Sequence, residues 1–372
     1  MYFSCEKSVL CEAVNNVSPA VSAKSTLMAL ECVLLRCRGN RLMVIGYNLE
    51  LGITKELEVS SREDGEILLN ARLFGEIINR MPAGELTLST DDKLLTIIKG
   101  GGAQFTILGM SAEEYPEIPV ISEEKSFRIQ ADTLRSMISQ TLFAVSQDAA
   151  TPVLTGTLFE LKGGTLYLVS VDGCRLALRK EPVNCLESFK FVAPGKTLSE
   201  LLKLIGKFSG EEDEEVLVKL GSKHLVFECG GYTVLSRLLE GEFIDYNTAI
   251  PKEKKTRIVL SAREFVESIN RASIIISEKI KNPVKARFEE GKVSISCETS
   301  VGKVNDSISV KLEGDPVRIG FNNKYMTDAL KASEEDEIAM EINTAFSPIK
   351  LLPLEGDSFV FLVMPMRLKD DN

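Results

Sequence analysis

Tryptophan is absent from this 372-residue chain, histidine occurs once, and aromatic residues make up only 6% of the sequence. A single histidine, His224, removes every mechanism that needs a histidine pair and leaves a histidine-assisted nucleophile only this one residue to draw on. It lies in Lys223-His224-Leu225-Val226-Phe227, an alternating stretch that reads as entry into a strand, where a surface or packing role is expected. No uninterrupted apolar run reaches about 18 residues, so a transmembrane helix is not expected. Met1 leads straight into Tyr2 to Val9 without a basic and then apolar leader. The expectation is a cytoplasmic protein with no membrane contact. The cysteines (Cys5, Cys11, Cys32, Cys37, Cys174, Cys185, Cys229 and Cys297) contain no C-x-x-C pair, which is poor spacing for zinc and a thin disulfide framework for so long a chain. They are expected to behave as small apolar residues, and no metal or cofactor is expected. An overall basic field is missing as well: 44 Lys and Arg against 54 Asp and Glu give a net charge of −10. Any contact with nucleic acid must therefore come from local placement of cations.

What is present is an ordinary folded composition, 44% hydrophobic and 26% charged, in a length suited to two or three domains. Three similar seams favour three. They are Glu113-Glu114-Tyr115-Pro116-Glu117-Ile118-Pro119, Gly241-Glu242-Phe243-Ile244-Asp245-Tyr246 through Pro251, and Met364-Pro365-Met366, at intervals of about 120 to 130 residues. Before each seam the same events recur: a short amphipathic helix (Ala71 to Arg80, Lys196 to Lys207, Asn323 to Ala332), a turn, and then alternating strands. In the first third the strands are Glu85 to Ser89, Leu94 to Ile98 and Gln104 to Leu108, parted by Asp91-Asp92 and Gly100-Gly101-Gly102. In the second and third the turns are the acidic runs Glu211 to Glu215 and Glu334 to Glu337. Each third also has an earlier helix, at Lys7 to Val17, Asp132 to Phe143 and Arg263 to Ile275, with strand-like stretches after it. The reading is an α+β fold of three similar domains, each of two helix-plus-antiparallel-sheet units.

Four of the six helices carry paired cations about two turns apart: Arg72 and Arg80, Lys196 and Lys203, Arg263 and Arg271, Lys324 and Lys331. Surface helices often carry Lys and Arg, so one such pair means little. Four matching pairs in an acidic protein point to a shared task.

Most candidate chemistry fails. Pro194-Gly195-Lys196-Thr197 resembles the tail of a phosphate-binding loop, but the first glycine of that motif falls on Lys190, so a helix start is expected. The acidic clusters sit at equivalent turns of the repeat and read as solvated turns, and no G-x-S-x-G accompanies His224. The protein is not expected to be an enzyme. Val169 to Leu178 reads as a hairpin about Asp172-Gly173, while Val363-Met364-Pro365-Met366-Arg367-Leu368 is unusually apolar and rich in adaptable methionine.

At these residues a resemblance becomes specific. Asp172-Gly173-Cys174-Arg175-Leu176-Ala177, Phe243-Ile244-Asp245-Tyr246 and the closing Val363 to Leu368 resemble the bacterial DNA polymerase III beta subunit family, the beta sliding clamps, in order along essentially the whole chain. The resemblance implies domains at 1–121, 122–253 and 254–372, and a head-to-tail homodimer closed into a ring (the DNA clamp fold) around duplex DNA. Its role would be that of a processivity factor, holding the replicative DNA polymerase, the clamp loader and repair polymerases by short linear peptides. The peptide pocket it implies comprises Leu154, Val171, Gly173, Cys174, Arg175, Leu176, Ile244, Thr248, Ala249, Pro348, Val363, Met364, Pro365, Met366 and Arg367. Lys24, in the polar loop Ser22 to Thr26, would join the four helix pairs in facing DNA without reading sequence. Phe105 and Ile107 in the first domain would meet Ile274 and Ile275 in the third domain of a second copy.

The chain departs from the family pattern at Cys174, where histidine is common, at Ile244, where proline is common, and at Thr248, where a basic residue can occur. These departures bear on which peptides it prefers. Lys369 to Asn372 extends past the usual end and is expected to be a frayed polar terminus. Two other classes compete: an acidic hydrolase, which lacks a carboxylate or histidine constellation, and a monomeric peptide-binding scaffold, which would not need the cationic pairs.

Overall fold

The computed structural model describes residues 1–122, 125–207, 214–276 and 283–368. Most of the acidic turn Glu211 to Glu215, and the tail Lys369 to Asn372, lie outside the described residues. Packing divides the chain into two units, Met1–Asp132 with Ser199–Leu238, and Thr133–Leu198 with Leu239–Asn372.

The first unit holds two antiparallel sheets. One runs Ser60–Glu63, Tyr2–Glu6, Glu85–Thr90, Leu95–Gly100, Ala103–Leu108. The other runs Lys125–Gln130, Glu215–Leu220, His224–Cys229, Tyr232–Arg237, Leu51–Glu58, Arg41–Tyr47, Cys32–Arg38, Gly65–Asn70. Helix α1 (Lys7–Val17) buries Leu10, Ala13, Val14 and Val17, and α2 (Ala71–Arg80) buries Ala71, Phe74, Ile77 and Ile78; both sets follow the three-and-four spacing of one helical face. The Asn70 side chain caps α2 by accepting the Leu73 N–H at 3.0 Å. Where Asp91-Asp92 predicted a hairpin, the Asp91 carboxylate accepts the N–H groups of Lys93 and Leu95, each at 2.9 Å. That turn holds Leu94 at φ 65, so the following strand begins at Leu95 rather than Leu94.

In the second unit a nine-stranded antiparallel sheet runs Phe189–Pro194, Gly156–Lys162, Thr165–Val171, Arg175–Pro182, Phe359–Val363, Ile349–Leu352, Glu337–Ile342, Thr256–Ser261, Lys311–Gly314. A five-stranded sheet runs Gly302–Ser309, Lys292–Thr299, Val284–Glu289, Val317–Phe321, Pro365–Met366. Helices α3 (Ala131–Leu142) and α4 (Gly195–Ile205) belong to the central third; α5 (Ala262–Ser273) and α6 (Asn323–Ala332) belong to the last. Phe265 of α5 meets Phe288 and Phe321 edge-on at the centre of a core that also contains Ile269, Val284, Ile295, Met326 and Phe361. Asn322 caps α6 at the Tyr325 N–H, and Ser261 caps α5 at the Glu264 N–H.

Helix α4 starts at Gly195, the helix start expected in place of a phosphate loop, and packing explains the glycine: a Cβ there would stand 3.0 Å from the Thr155 carbonyl oxygen and 3.1 Å from Val145. The helix ends at Ile205, two residues short of the expected Lys207. Among the described residues no helix is long and apolar enough to cross a membrane.

Candidate peptide pocket and cationic helix faces

The hairpin of Thr165–Val171 and Arg175–Pro182 turns at Asp172-Gly173, as its sequence predicts. Gly173 takes φ 86, and the Asp172 carboxylate accepts the N–H groups of Cys174 at 2.9 Å and Arg175 at 3.0 Å. Strand Phe359–Val363 lies beside this hairpin, pairing Arg175 with Val363 and Leu176 with Leu362. The Met364 N–H then donates to the Cys174 carbonyl at 2.8 Å. One residue later the chain leaves the nine-stranded sheet, and Pro365–Met366 pairs with Phe321 and Gly320 of the five-stranded one. Met364 sits at the switch between sheets, where neither core claims its side chain, and it remains 43% exposed.

Below it lies an apolar floor. Val171 and Leu176 are buried in one cluster with Leu178, Leu362 and Phe243, and Leu154 packs against that cluster. The stretch 244–249 forms a further wall. Tyr246 anchors it by donating to Glu160 at 2.5 Å, the Asp245 side chain accepts the Asn247 N–H, and Thr248 Oγ1 bonds the Asp245 carbonyl. Burial, and then the neighbouring Glu160 carboxylate, push the Tyr246 phenol well above its ordinary range, so it stays a neutral donor. Ile244, Thr248 and Ala249 are left exposed above this anchor. Pro348 is half-buried and precedes Ile349, which pairs with Val363. All the expected pocket positions thus fall in one unit; Val171, Leu176, Phe243, Tyr246 and Leu362 share one buried cluster, while Val363 belongs to the neighbouring core.

Arg175 behaves differently from expectation. Its Nε donates to Asp172 at 2.8 Å and its Nη1 to Asp328 at 2.6 Å, its guanidinium stacks on Tyr325 and Phe143, and the side chain is only 10% exposed. One of its donors is therefore engaged within the turn, and another ties the turn to α6. Arg367 is exposed. Phe143, Tyr325 and Asp328 were missed in the sequence because they lie on helices read as core or cationic faces, and no local spacing links them to residue 175.

The nine expected DNA-facing cations (Lys24, Arg72, Arg80, Lys196, Lys203, Arg263, Arg271, Lys324 and Lys331) are all exposed. Arg72, Lys203 and Arg263 make pairs within their own helices with Glu76, Glu200 and Glu267, surface contacts that cost little to break. Arg271 is held more firmly, by Nε and Nη2 on the Asp306 carboxylate. A hydrogen bond from Ser268, then that of Arg271, keeps Asp306 below the usual carboxylate range.

Strand Ala103–Leu108 is the end of its sheet and buries none of its side chains; Phe105 is 40% exposed, Leu108 71%, and Ile107 half-buried. Ile274, just past α5, is 82% exposed, whereas Ile275 packs against the core of the second unit. An open edge with apolar side chains is the kind of surface that pairs with another chain.

Among the described residues no group of His, Cys, Asp and Glu is arranged to hold a metal. Burial raises the Cys5 thiol to about 12 and the Cys229 thiol to about 11, which makes neither a nucleophile. His224 opens its strand as expected, with burial lowering its pKa.

Repeated α+β modules, exposed cations on four of their helices and a terminal segment that switches from one sheet to another suit a DNA-clamp type of protein. Three family models match in succession: the DNA polymerase III beta subunit N-terminal domain over residues 1–119, its central domain over 128–245 and its C-terminal domain over 247–367. The beta sliding clamp of Bacillus subtilis is 32% identical over 381 residues, covering 99% of this chain and 100% of the relative. That of Halalkalibacterium halodurans is also 32% identical, over 384 residues, covering 99% of this chain and 100% of the relative. Among solved structures, the Bacillus subtilis DNA polymerase sliding clamp matches with TM-score 0.95 at 31% identity, covering 99% of this chain and all of that one. The Pseudomonas aeruginosa clamp bound to griselimycin matches with TM-score 0.94 at 26% identity and the same coverage. The chain belongs to the DNA polymerase III beta subunit family, the beta sliding clamps, whose members are processivity factors and not catalytic subunits.

Proposed function

We propose that two copies of this chain close head to tail into a ring around duplex DNA, with domains at 1–121, 122–253 and 254–372, and work in the cytoplasm as the processivity factor of the replicative DNA polymerase. The observation that carries this reading is the buried cluster shared by Val171, Leu176, Phe243, Tyr246 and Leu362, with the Met364 N–H bonded to the Cys174 carbonyl at its edge. In this role the pocket takes short linear peptides of the polymerase, the clamp loader and repair polymerases, each with a glutamine and a few spaced leucine or phenylalanine side chains. The exposed cations of α2, α4, α5 and α6, with Lys24, meet phosphates without reading sequence, while Phe105, Ile107, Ile274 and Ile275 serve the contact between copies.

Phosphate contacts by scattered Lys and Arg are salt-sensitive, so lasting attachment depends on topology. Loaded protein is expected to remain on nicked circular DNA at moderate salt and to slide off the same DNA once linearised. Equal retention on both overturns the ring.

The pocket is tested separately. Met364→Ala removes an adaptable side chain that a bound peptide would cover, and is expected to weaken peptide binding by about 1 to 3 kcal/mol. Retention on circular DNA should be unchanged. A titration giving wild-type affinity for the folded variant takes Met364 out of the site.

A further inference from the structure

One carboxylate closes the turn at Asp172-Gly173 and works twice. Its Oδ1 accepts the N–H groups of Cys174 and Arg175, and its Oδ2 takes Nε of Arg175 at 2.8 Å. The other end of that guanidinium leaves the turn. Nη1 donates to Oδ2 of Asp328 at 2.6 Å, and Cζ lies over the rings of Tyr325 and Phe143, 4.7 and 5.4 Å from their centroids. Tyr325 and Asp328 are three residues apart on α6 and so share a face. Phe143 meets the buried Phe361 edge-on, which holds its ring in place.

The first unit contains the same turn without this tether. There the hairpin of Arg41–Tyr47 and Leu51–Glu58 turns at Asn48-Leu49. The Asn48 side chain accepts the N–H groups of Glu50 at 3.1 Å and Leu51 at 2.9 Å, and Leu49 takes φ 75 where Gly173 takes φ 86. The Arg237 N–H donates to the Glu50 carbonyl at 2.8 Å, as the Met364 N–H does to that of Cys174. Leu51 stands in the place of Arg175 and is buried, with no charge to tie. Turn, strand pairing and closing hydrogen bond therefore form without a guanidinium or a carboxylate from a helix. The contacts of Arg175 are an addition found in the copy of the turn that carries the expected pocket.

Charge balance does not ask for them either. Asp172, itself 13% exposed, already neutralises Arg175; Asp328 brings a second carboxylate to the same cation at a cost in desolvation. What the second carboxylate adds is geometry. A planar guanidinium gripped at Nε and Nη1 by groups on two different elements cannot swing, so the turn is held to α6.

We infer that Asp328 is a positioning residue of the peptide pocket: acting through Arg175, it holds the turn at 172–174 in the form that receives a peptide, without touching the peptide itself. This role presupposes that the pocket proposed above binds peptides. Cys174 is the point of transmission, since its N–H is bonded to Asp172 and its carbonyl to Met364. A turn free to move has to be ordered at each binding event, and that ordering is subtracted from affinity.

The test uses the full-length protein and a fluorescent peptide carrying a glutamine and two spaced leucines. Asp328→Ala is expected to weaken binding about tenfold, the equivalent of one charge-assisted hydrogen bond, chiefly through faster dissociation. Asp328→Asn keeps an acceptor for Nη1 and should lose less. Asp172 still neutralises Arg175 in both variants, so urea midpoints should stay near wild type; if Asp328→Ala fails to fold, Asp328→Asn serves. The decisive measurement is coupling. In an Arg175→Ala background, Asp328→Ala should have no further effect on affinity, because its route to the peptide is gone. Additive losses overturn the positioning role. So does wild-type affinity for Asp328→Ala when Met364→Ala, measured beside it, binds more weakly, and the pocket then stands without this residue. If the wild-type protein does not bind the peptide, or neither Met364→Ala nor Asp328→Ala alters binding, the pocket falls and the role of Asp328 with it.

Discussion

Replacing Ile274 with aspartate is expected to turn the dimer into folded monomers that no longer stay on circular DNA. The side chain is 82% exposed in the single chain, so the substitution removes little of the protomer's own packing. In the proposed contact between copies this position would be covered, and an uncompensated carboxylate placed there would cost about 3 kcal/mol or more, roughly a hundredfold in dimer affinity. Sedimentation at micromolar concentration, with circular dichroism as the control for folding, reads the outcome. A variant that stays dimeric takes this residue out of the contact. Ile275 was expected to act with Ile274, but it packs against the core with Phe265 and Ile269, so Ile275→Asp should instead lower the stability of the protomer itself. The pair separates assembly from folding.

The second large effect is expected at Glu341. This carboxylate is only 6% exposed and is shared by Lys254, by Arg257 at 3.2 Å and by Lys350 at 2.7 Å. Register explains the convergence, since Arg257 and Lys350 are its direct partners on the two flanking strands. Burial alone would raise its pKa, but the hydrogen bonds of Lys254 and Lys350 outweigh that and hold it below the ordinary 4.5. Glu341→Gln keeps the shape and removes the charge, leaving three cations crowded on a neutral amide. The expected cost is about 3 kcal/mol, the lower end for breaking a buried pair, because the lysine and arginine heads reach water. A carboxylate whose pKa is depressed on folding adds stability that is full above its unfolded pKa and is lost as pH falls through the folded one. Wild type should therefore lose stability as pH drops below about 5, and the glutamine variant should show a shallower acid limb. Urea midpoints at neutral and at acid pH measure both; equal midpoints for the two proteins at neutral pH would mean the charge cluster is idle.

Local pattern carried most of the architecture. Helices at Lys7–Val17, Ala71–Arg80 and Asn323–Ala332 were readable because their apolar residues recur at helical spacing and their starts carry capping or small residues. The hairpin at Asp172-Gly173 was readable because two residues dictate it. Strand ends were less so: Asp91 bonding two backbone N–H groups moves a strand start by one residue, and nothing short of the side-chain geometry reveals that. The exposure of the cations also follows from helix periodicity. What periodicity could not give is which charges already have partners. Arg175 and Arg271 look alike in sequence to Arg367 and Arg80, yet Arg175 is tied to Asp172 of its own turn and to Asp328, and Arg271 to Asp306, the last two brought up from another helix and strand by the fold. Long-range pairing of this kind leaves no local mark.

The wall of the pocket is among the last parts of the chain to be made. Strand Phe359–Val363 pairs with Arg175–Pro182, synthesised about 180 residues earlier, and Met364 closes onto Cys174 only when that pairing exists. The two strands are neighbours within the nine-stranded sheet, and pairing between segments so distant along the chain is slow to form. While the protein is still being translated, the Gly173 turn and the stretch 244–249 lack their third side and offer no complete groove. If these segments form the proposed groove, competence to capture peptide would follow completion of the chain, and a protein cut short of residue 364 would lack the third side.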